Sequence, residues 1–266
     1  MSRFADRVVF VSGSTGMAAS AARALAAEGA RVFVASHTED HARGLAEEIG
    51  GSAAWATADL GVEADVETAF ERCVAQFGRL DGLYHVAGIS GRRFGDGLAH
   101  EATLTGWETV LRTNATSAFL ATRAALRRML SQEPDAGGSR GSIVLMSSVL
   151  ARHPSPELFG THAYAASKGA IEAFTRATAA AYAGDGIRIN AVAPALVATP
   201  MSRRAQDDPA IVAYLREKQP LAGGPVEADA VTPLVLALLG PETSMVTGQV
   251  IDVDGGWGVS EPRPRD

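Results

Sequence analysis

Two tyrosine–lysine pairs carry most of the chemistry this sequence offers. The chain has only two lysines, Lys168 and Lys218, and each follows a tyrosine, Tyr164 or Tyr214, by four positions. On a helix that spacing stacks the two side chains on one face, a turn apart. A phenol with a pKa near ~10 is a poor base at neutral pH, and a neighbouring ammonium favours its phenolate. Such a tyrosine can give a proton to an alkoxide forming from a ketone, or take one from an alcohol. The settings of the two pairs differ. Tyr164 follows a β-branched run ending in Ser147-Ser148 and precedes another, Ile187 to Val192. Tyr214 has neither, and Lys218, beside Arg216 and Glu217, is expected to be a solvated helix residue. Tyr164 and Lys168 are therefore the expected proton-transfer pair.

A second feature is the turn Ser12-Gly13-Ser14-Thr15-Gly16-Met17-Ala18, which joins a strand to a helix. Glycines let the backbone approach a pyrophosphate closely, and the helix N-terminus supplies free N–H groups and a positive dipole end. A glycine–serine turn at such a junction also occurs with no ligand at all.

The elements that must position these residues alternate along the chain. Short β-branched runs are Val8 to Val11, Arg31 to Ala35, Leu80 to Val86, Ser142 to Met146, Ile187 to Val192 and Val250 to Val253, with a weaker one at Ala53 to Thr57. Between them lie stretches of helical period: Ala18 to Glu28, Glu39 to Ile49, Glu63 to Phe77, Gly106 to Ser131, Ala163 to Ala183 and Ala228 to Leu239. Gly29 and Gly184 are expected just past helix ends. This alternation predicts an α/β fold, a seven-stranded parallel sheet with helices on both faces, in one domain spanning residues 1–266. Ligands of such sheets bind beyond the carboxyl ends of the strands, where strand order reverses.

Composition narrows the function classes. Net charge is −6 and the arginine pairs lie close to acids, so solvated faces explain them better than nucleic acid does. The lone Cys73 excludes an internal disulfide, suits a reducing compartment and is expected to be a buried structural thiol. Met1 to Arg7 holds no apolar signal segment and no run is long enough to span a membrane, so a soluble cytoplasmic protein is expected. The six histidines show no metal spacing, and no metal is expected. His153 and His162, which bracket the stretch before Tyr164, are expected to be loop residues.

With these residues in this order, the chain from about Arg7 to Gly256 resembles the short-chain dehydrogenase/reductase family, in particular its members similar to 3-oxoacyl-carrier-protein reductases. Tyr164 and Lys168 match the Tyr-x3-Lys pair, Asn114 the helix asparagine, and Ser147-Ser148 the strand serine, with the family spacing favouring Ser148. Asp59-Leu60, Ala87-Gly88 and Thr247 to Gly256 match further family segments. The resemblance implies a Rossmann-like doubly wound domain and hydride transfer between a nicotinamide and a carbonyl or secondary alcohol. Tyr164 would move the proton, Lys168 would lower its pKa and hold the ribose, Ser148 would bind the carbonyl oxygen, and Asn114 would steady a water linking Lys168 to solvent. The cofactor would lie against Gly13, Ser14, Thr15, Gly16, Met17, Ser36, His37, Asp59, Leu60, Ala87, Gly88, Tyr164, Lys168, Pro194, Val197 and Thr199. It also implies a homotetramer, or a homodimer, built on the two longest helices.

The departures from the family pattern gather on the cofactor side. Only two residues separate Gly13 from Gly16, and Ala18 replaces the last glycine, so the turn must take a different path and the Ala18 methyl crowd helix–strand packing. His85-Val86 stands for two asparagines and Ala195 for a glycine. These changes leave an alternative, a protein of this fold that has lost redox function and serves as a non-redox enzyme or binding protein. Ser36 and His37 end the second strand with no carboxylate to repel a 2′-phosphate, so NADP(H) is expected, with NAD(H) as the alternative. Substrate contacts are expected from Ser90 to His100, from Leu150 to His162 and from a lid over about residues 199–224 that includes a short helix, Pro209 to Gln219. Leu150, Leu158, Phe159, Leu196 and Met201 suit a partly apolar small-molecule substrate.

Overall fold

The computed structural model describes residues 2–261, so Met1 and residues 262–266, the ends of the expected 1–266 domain, lie outside the described residues. Its elements run β1 (Val8–Ser12), α1 (Met17–Ala27), β2 (Arg31–Ser36), α2 (Glu39–Ile49), β3 (Ala53–Thr57), α3 (Glu63–Phe77), β4 (Gly82–His85), α4 (Leu104–Leu111), α5 (Ser117–Ser131), β5 (Gly141–Met146), α6 (Pro156–Phe159), α7 (His162–Tyr182) and β6 (Ile187–Pro194). Then follow β7 (Val197–Ala198), α8 (Arg203–Gln206), α9 (Pro209–Lys218), β8 (Val226–Glu227), α10 (Ala228–Leu239) and β9 (Val250–Val253).

Seven strands form one parallel sheet in the order β3-β2-β1-β4-β5-β6-β9. The chain winds outward from β1 to β3, then returns beside β1 with β4, which opens the crevice at the β1–β4 carboxyl edge. Helices cover both faces, and for that reason β1 and β5 are buried along their whole length and read as continuous apolar runs. On one face Phe10 stacks on Phe70 of α3 at 4.0 Å, in a core shared with Met129 of α5 and Ile171 of α7. On the other, Leu25 of α1, Leu45 of α2 and Leu236 of α10 pack over Val9 and Val34. Cys73 lies inside the first core, where burial pushes its thiol up to about 12 and leaves it inert.

Three local features differ from the sequence expectation. The strand expected over Leu80 to Val86 is shorter, because the Leu80 amide turns aside to Gln132 Oε1 (3.2 Å). The helix expected over Gly106 to Ser131 is interrupted by a π-turn, Arg112–Thr116, with buried Asn114 at its centre. Gly29 does end α1 with φ +90°, but α7 passes through a 3₁₀ turn, Ala183–Asp185, and its left-handed glycine is Gly186 (φ +74°) rather than Gly184. Among the described residues no helix is long and apolar enough to cross a membrane.

Candidate active site

A cavity of about 170 Å³ lies at the carboxyl edge of the sheet. β5 delivers Ser148 to it, α7 delivers Tyr164 and Lys168 one turn apart, and the segment after β6 delivers Pro194 and Val197. The start of α7 is fixed from outside. Its own Thr161 makes no side-chain cap. Instead the buried carboxylate of Asp96 accepts the Ala163 and Tyr164 amides, each at 2.9 Å. A carboxylate there satisfies orphan N–H groups and suits the positive helix end, which holds the Tyr164 backbone in place.

The two neighbouring serines divide their roles. Ser147 Oγ donates to Glu172 Oε1 (2.9 Å) and ties β5 to α7. Ser148 Oγ accepts the Leu150 amide (3.3 Å), which leaves its hydroxyl proton free to face Tyr164. Burial raises the Tyr164 phenol above its ordinary value and the Ser148 hydrogen bond pulls it back. Lys168 stands beside Tyr164. Its Nζ sits 5.6 Å from the Tyr164 ring centroid and donates to Met146 O (2.8 Å), and burial drops its pKa to about 8. With that pKa the ammonium is still mostly protonated at neutral pH, and a cation at this distance favours the phenolate.

Behind the cavity, Asn114 uses its side chain as a clamp. Oδ1 accepts the Ile89 amide (2.8 Å), and Nδ2 donates to Ile89 O and Ser167 Oγ (both 3.0 Å). This joins the loop after β4 to α7. His85 lies beneath it, bonded to Ser117 Oγ at 3.1 Å. Burial and the nearby Lys168 hold the imidazole down at about 3, so it stays neutral.

The glycine turn follows a backbone path that glycine permits. Gly13 adopts φ +104° and Gly16 φ +53°, ψ −128°, backbone that L side chains rarely enter. A Cβ on Gly13 would come within 3.2 Å of the Ala18 Cβ, so the methyl that replaces the family glycine is accommodated by Gly13. A Cβ on Gly16 would strike Thr199 Cγ2 at 2.9 Å, and one on Gly88 would lie 3.0 Å from Asn114 Oδ1. α1 starts with no side-chain cap, leaving its first amides for an anion. These cradles, with the spare donors of the buried Lys168 ammonium, fit a dinucleotide.

Met17, Gly88, Ser148, Tyr164, Lys168, Pro194, Val197 and Thr199 line the cavity together. Gly13, Ser14, Thr15, Gly16 and Ala87 do not line it; they lie on the turns after β1 and β4, next in sequence to its lining residues Met17, Val86 and Gly88. None of Ser36, His37, Asp59 and Leu60 lines it: Ser36 ends β2, and His37, Asp59 and Leu60 follow β2 and β3. Ser36 is buried and accepts the Thr38 amide (3.3 Å), while His37 is exposed. Burial pushes the Asp59 carboxyl up, but Arg112 at 2.9 Å, the Gly61 amide and His37 outweigh it and hold the group below its usual value. The loops expected to meet substrate all contribute, through Ser90 and Arg92, Leu150, Phe159 and Thr161, and Met201, Ser202, Arg204 and Ala205. Leu158 offers its carbonyl to Arg92 instead. His162 Nδ1 accepts the Ala99 amide (3.0 Å), and His153 O accepts the Trp257 indole (3.2 Å), so both serve the loops.

Trp257 is a lining residue that the sequence did not reveal, and it explains the second tyrosine–lysine pair. Tyr214 packs edge-on against Trp257 (5.7 Å) and bonds to Ser155 Oγ (3.0 Å). Lys218 is half-buried rather than solvated, with Nζ over the Trp257 ring (5.8 Å) and donating to Ser260 O (2.6 Å). The pair ties α9 to Trp257, and β7 and β8 pair at the base of the segment that carries α9. Tyr214→Phe is expected to cost about 1 kcal/mol of stability through the lost hydrogen bond and to leave the chemical step nearly unchanged. Thermal melts and single-turnover rates check this; a rate loss matching that of Tyr164→Phe would contradict it.

A family model described as enoyl-(acyl carrier protein) reductase matches residues 11–258. The chain is 36% identical over 255 residues to momilactone A synthase of Oryza sativa subsp. japonica, covering 94% of this chain and 89% of the relative. It is 34% identical over 258 residues to cis-4-hydroxycyclohexanecarboxylate dehydrogenase of Sinomonas cyclohexanicum, covering 96% and 97%. A solved short-chain type dehydrogenase/reductase from Mycobacterium ulcerans superposes with a TM-score of 0.87 at 27% identity, over 97% of this chain and 91% of that one. Fold and relatives together define a Rossmann-like oxidoreductase. The chain belongs to the short-chain dehydrogenase/reductase family.

Proposed function

We propose that the protein transfers hydride between NADP(H), or NAD(H), and a carbonyl or secondary alcohol carbon, with Tyr164 as general acid and base. The observation that carries this reading is the convergence of Ser148, Tyr164 and Lys168 with Met17, Gly88, Pro194, Val197 and Thr199 on one cavity. The nicotinamide, when bound, supplies or takes the hydride at the reacting carbon. Ser148 donates its hydroxyl proton to the substrate oxygen and so positions it. In reduction Tyr164 Oη gives its proton to that oxygen as negative charge builds there; in oxidation it takes the proton back. Lys168 holds the ribose and exchanges protons beneath Tyr164, and Asn114 keeps the Ile89 loop seated on α7. The apolar walls Leu150, Phe159 and Trp257 exclude water from the reacting carbon.

The altered glycine turn by itself favours a cofactor-free member of the fold. The uncapped start of α1 behind the glycine turn and the intact Ser148, Tyr164 and Lys168 set outweigh it. We further propose a cytoplasmic homotetramer, or homodimer, a reading supported by exposed Leu104, Trp107 and Phe119 on α4 and α5. A panel of cyclic and acyclic ketones and secondary alcohols, followed by reduced-nicotinamide absorbance, tests the activity. Turnover with either nucleotide supports it; a folded protein that turns over none of the panel and binds neither nucleotide contradicts it.

His37 supports the NADP preference, since it stands exposed past β2 with Ser36 beside it. His37→Asp places a carboxylate where the 2′-phosphate would sit. The ratio of kcat/KM for NADP to that for NAD is expected to fall about tenfold or more, the equivalent of about 1.4 kcal/mol. An unchanged ratio would move the adenosine ribose elsewhere.

A further inference from the structure

The cavity in front of Tyr164 carries a charge imbalance that proton transfer does not require. Its charged lining residues are Arg92, Lys168 and Arg204, and no aspartate or glutamate lines it. Lys168 is accounted for by the ribose and the proton path. The two arginines are not. Arg92 opens the 3₁₀ turn Arg92–Phe94 in the loop after β4, and Arg204 stands on α8 in the lid, so they reach the cavity from different walls. They are close enough to oppose each other: burial and then Arg204 push the Arg92 guanidinium below its ordinary value, against the attraction of Asp96.

Among the described residues neither arginine has a carboxylate within salt-bridge distance. Some arginines of this chain do, as Arg112 on Asp59 and Arg152 on Glu172 illustrate, while others without such a partner, among them Arg93, Arg203 and Arg216, stand on exposed surface and do not line this cavity. Asp96, the acid whose charge Arg92 feels, has both oxygens engaged by the first amides of α7. Arg92 is meanwhile held in place by one donor, Nη2 to Leu158 O at 3.0 Å, which leaves other N–H groups of its fork unused. Two like charges beside an apolar wall of Leu150, Phe159, Met201 and Trp257 repel, weakly because both side chains are exposed. An anion between them reverses that sign, and the planar guanidinium fork matches a carboxylate in both geometry and charge.

We propose that Arg92 and Arg204 clamp an anionic end of the substrate, and that the protein acts on carbonyl or alcohol compounds whose apolar body carries a carboxylate remote from the reacting carbon. The proposal rests on the reading of the Tyr164 cavity as the carbonyl site. Because Arg204 rides on the lid, the same anion would draw α8 toward the loop after β4 and shut the cavity over the reacting carbon.

The test uses the full chain and a series of oxo acids of increasing chain length, each paired with its methyl ester. For the acid of best-fitting length, kcat/KM is expected to exceed that of its ester by roughly 10- to 100-fold, as charge-assisted hydrogen bonds imply. In Arg204→Met and Arg92→Met that ratio collapses toward one, and Arg204→Lys retains part of it. NADPH affinity, measured by calorimetry, stays within twofold in all three. Equal rates for acid and ester in the wild type, a ratio that survives both methionine variants, or loss of NADPH binding in them would each overturn the clamp. If neither compound turns over, calorimetric titration with the acids and esters decides separately. Selective binding of an acid, lost in Arg204→Met, sustains the clamp while the redox reading fails; no selective binding sinks the clamp as well.

Discussion

Tyr164→Phe is expected to lower kcat by roughly 10²- to 10⁴-fold, the usual contribution of a positioned general acid or base. The substitution removes one oxygen and keeps the ring, so the packing around α7 is retained and nucleotide affinity stays unchanged. The loss falls on kcat rather than KM, because the Tyr164 proton stabilises charge that exists only as the carbonyl carbon changes state. Steady-state kinetics on any substrate found in the ketone and alcohol panel read this directly. Retained turnover, or an effect confined to KM, would remove Tyr164 from the chemical step. The raised phenol pKa adds a direction: Tyr164 holds its proton well past neutral pH, so alcohol oxidation is expected to accelerate as pH rises and carbonyl reduction to slow.

Lys168→Met is expected to abolish turnover and weaken nucleotide binding while changing stability in a pH-dependent way. Burial lowers the Lys168 pKa from 10.5 to about 8, so the folded chain holds this proton less tightly than the unfolded chain does. At neutral pH the charged ammonium is therefore a destabilising element, on the order of 3 kcal/mol relative to an unperturbed lysine. Between about pH 8 and 10.5 the unfolded chain binds the extra proton, so wild-type stability gains from this group as pH rises through that window. The methionine variant lacks that gain. Melting temperatures of both proteins across the window check it, since all other titrations cancel in the difference. Parallel curves would show that Lys168 is not desolvated in the folded state.

Much of this architecture was legible because it rests on local pattern. The β-branched runs are continuous where both sheet faces are covered, and even the weak Ala53 to Thr57 run forms an edge strand, β3, beside β2. Tyr164 and Lys168 were separable from Tyr214 and Lys218 by the strands on either side of them. What escaped depends on contacts between distant segments. The π-turn at Asn114 adds a residue to a helical turn without altering the composition around it, so the helical period reads straight through. Lys218 looked solvated beside Glu217 and Arg216, yet Trp257 comes over it from the far end of the chain. Asp96 and Arg92 sit in a loop with no periodicity, and their roles appear only when α7 and the lid meet that loop. Gly186 rather than Gly184 closes α7 because the helix unwinds through a 3₁₀ turn first.

The reading of this cavity depends above all on whether the shortened turn around Gly13 and Gly16 still holds a dinucleotide. Calorimetric titration of the purified protein with NADPH and, separately, NADH tests that most directly. Micromolar binding is expected, tighter for NADPH, and lost in Gly16→Val, whose side chain would enter a forbidden backbone region and meet Thr199. A folded protein that binds neither nucleotide would contradict hydride transfer at Tyr164 and leave the fold with a cofactor-free role.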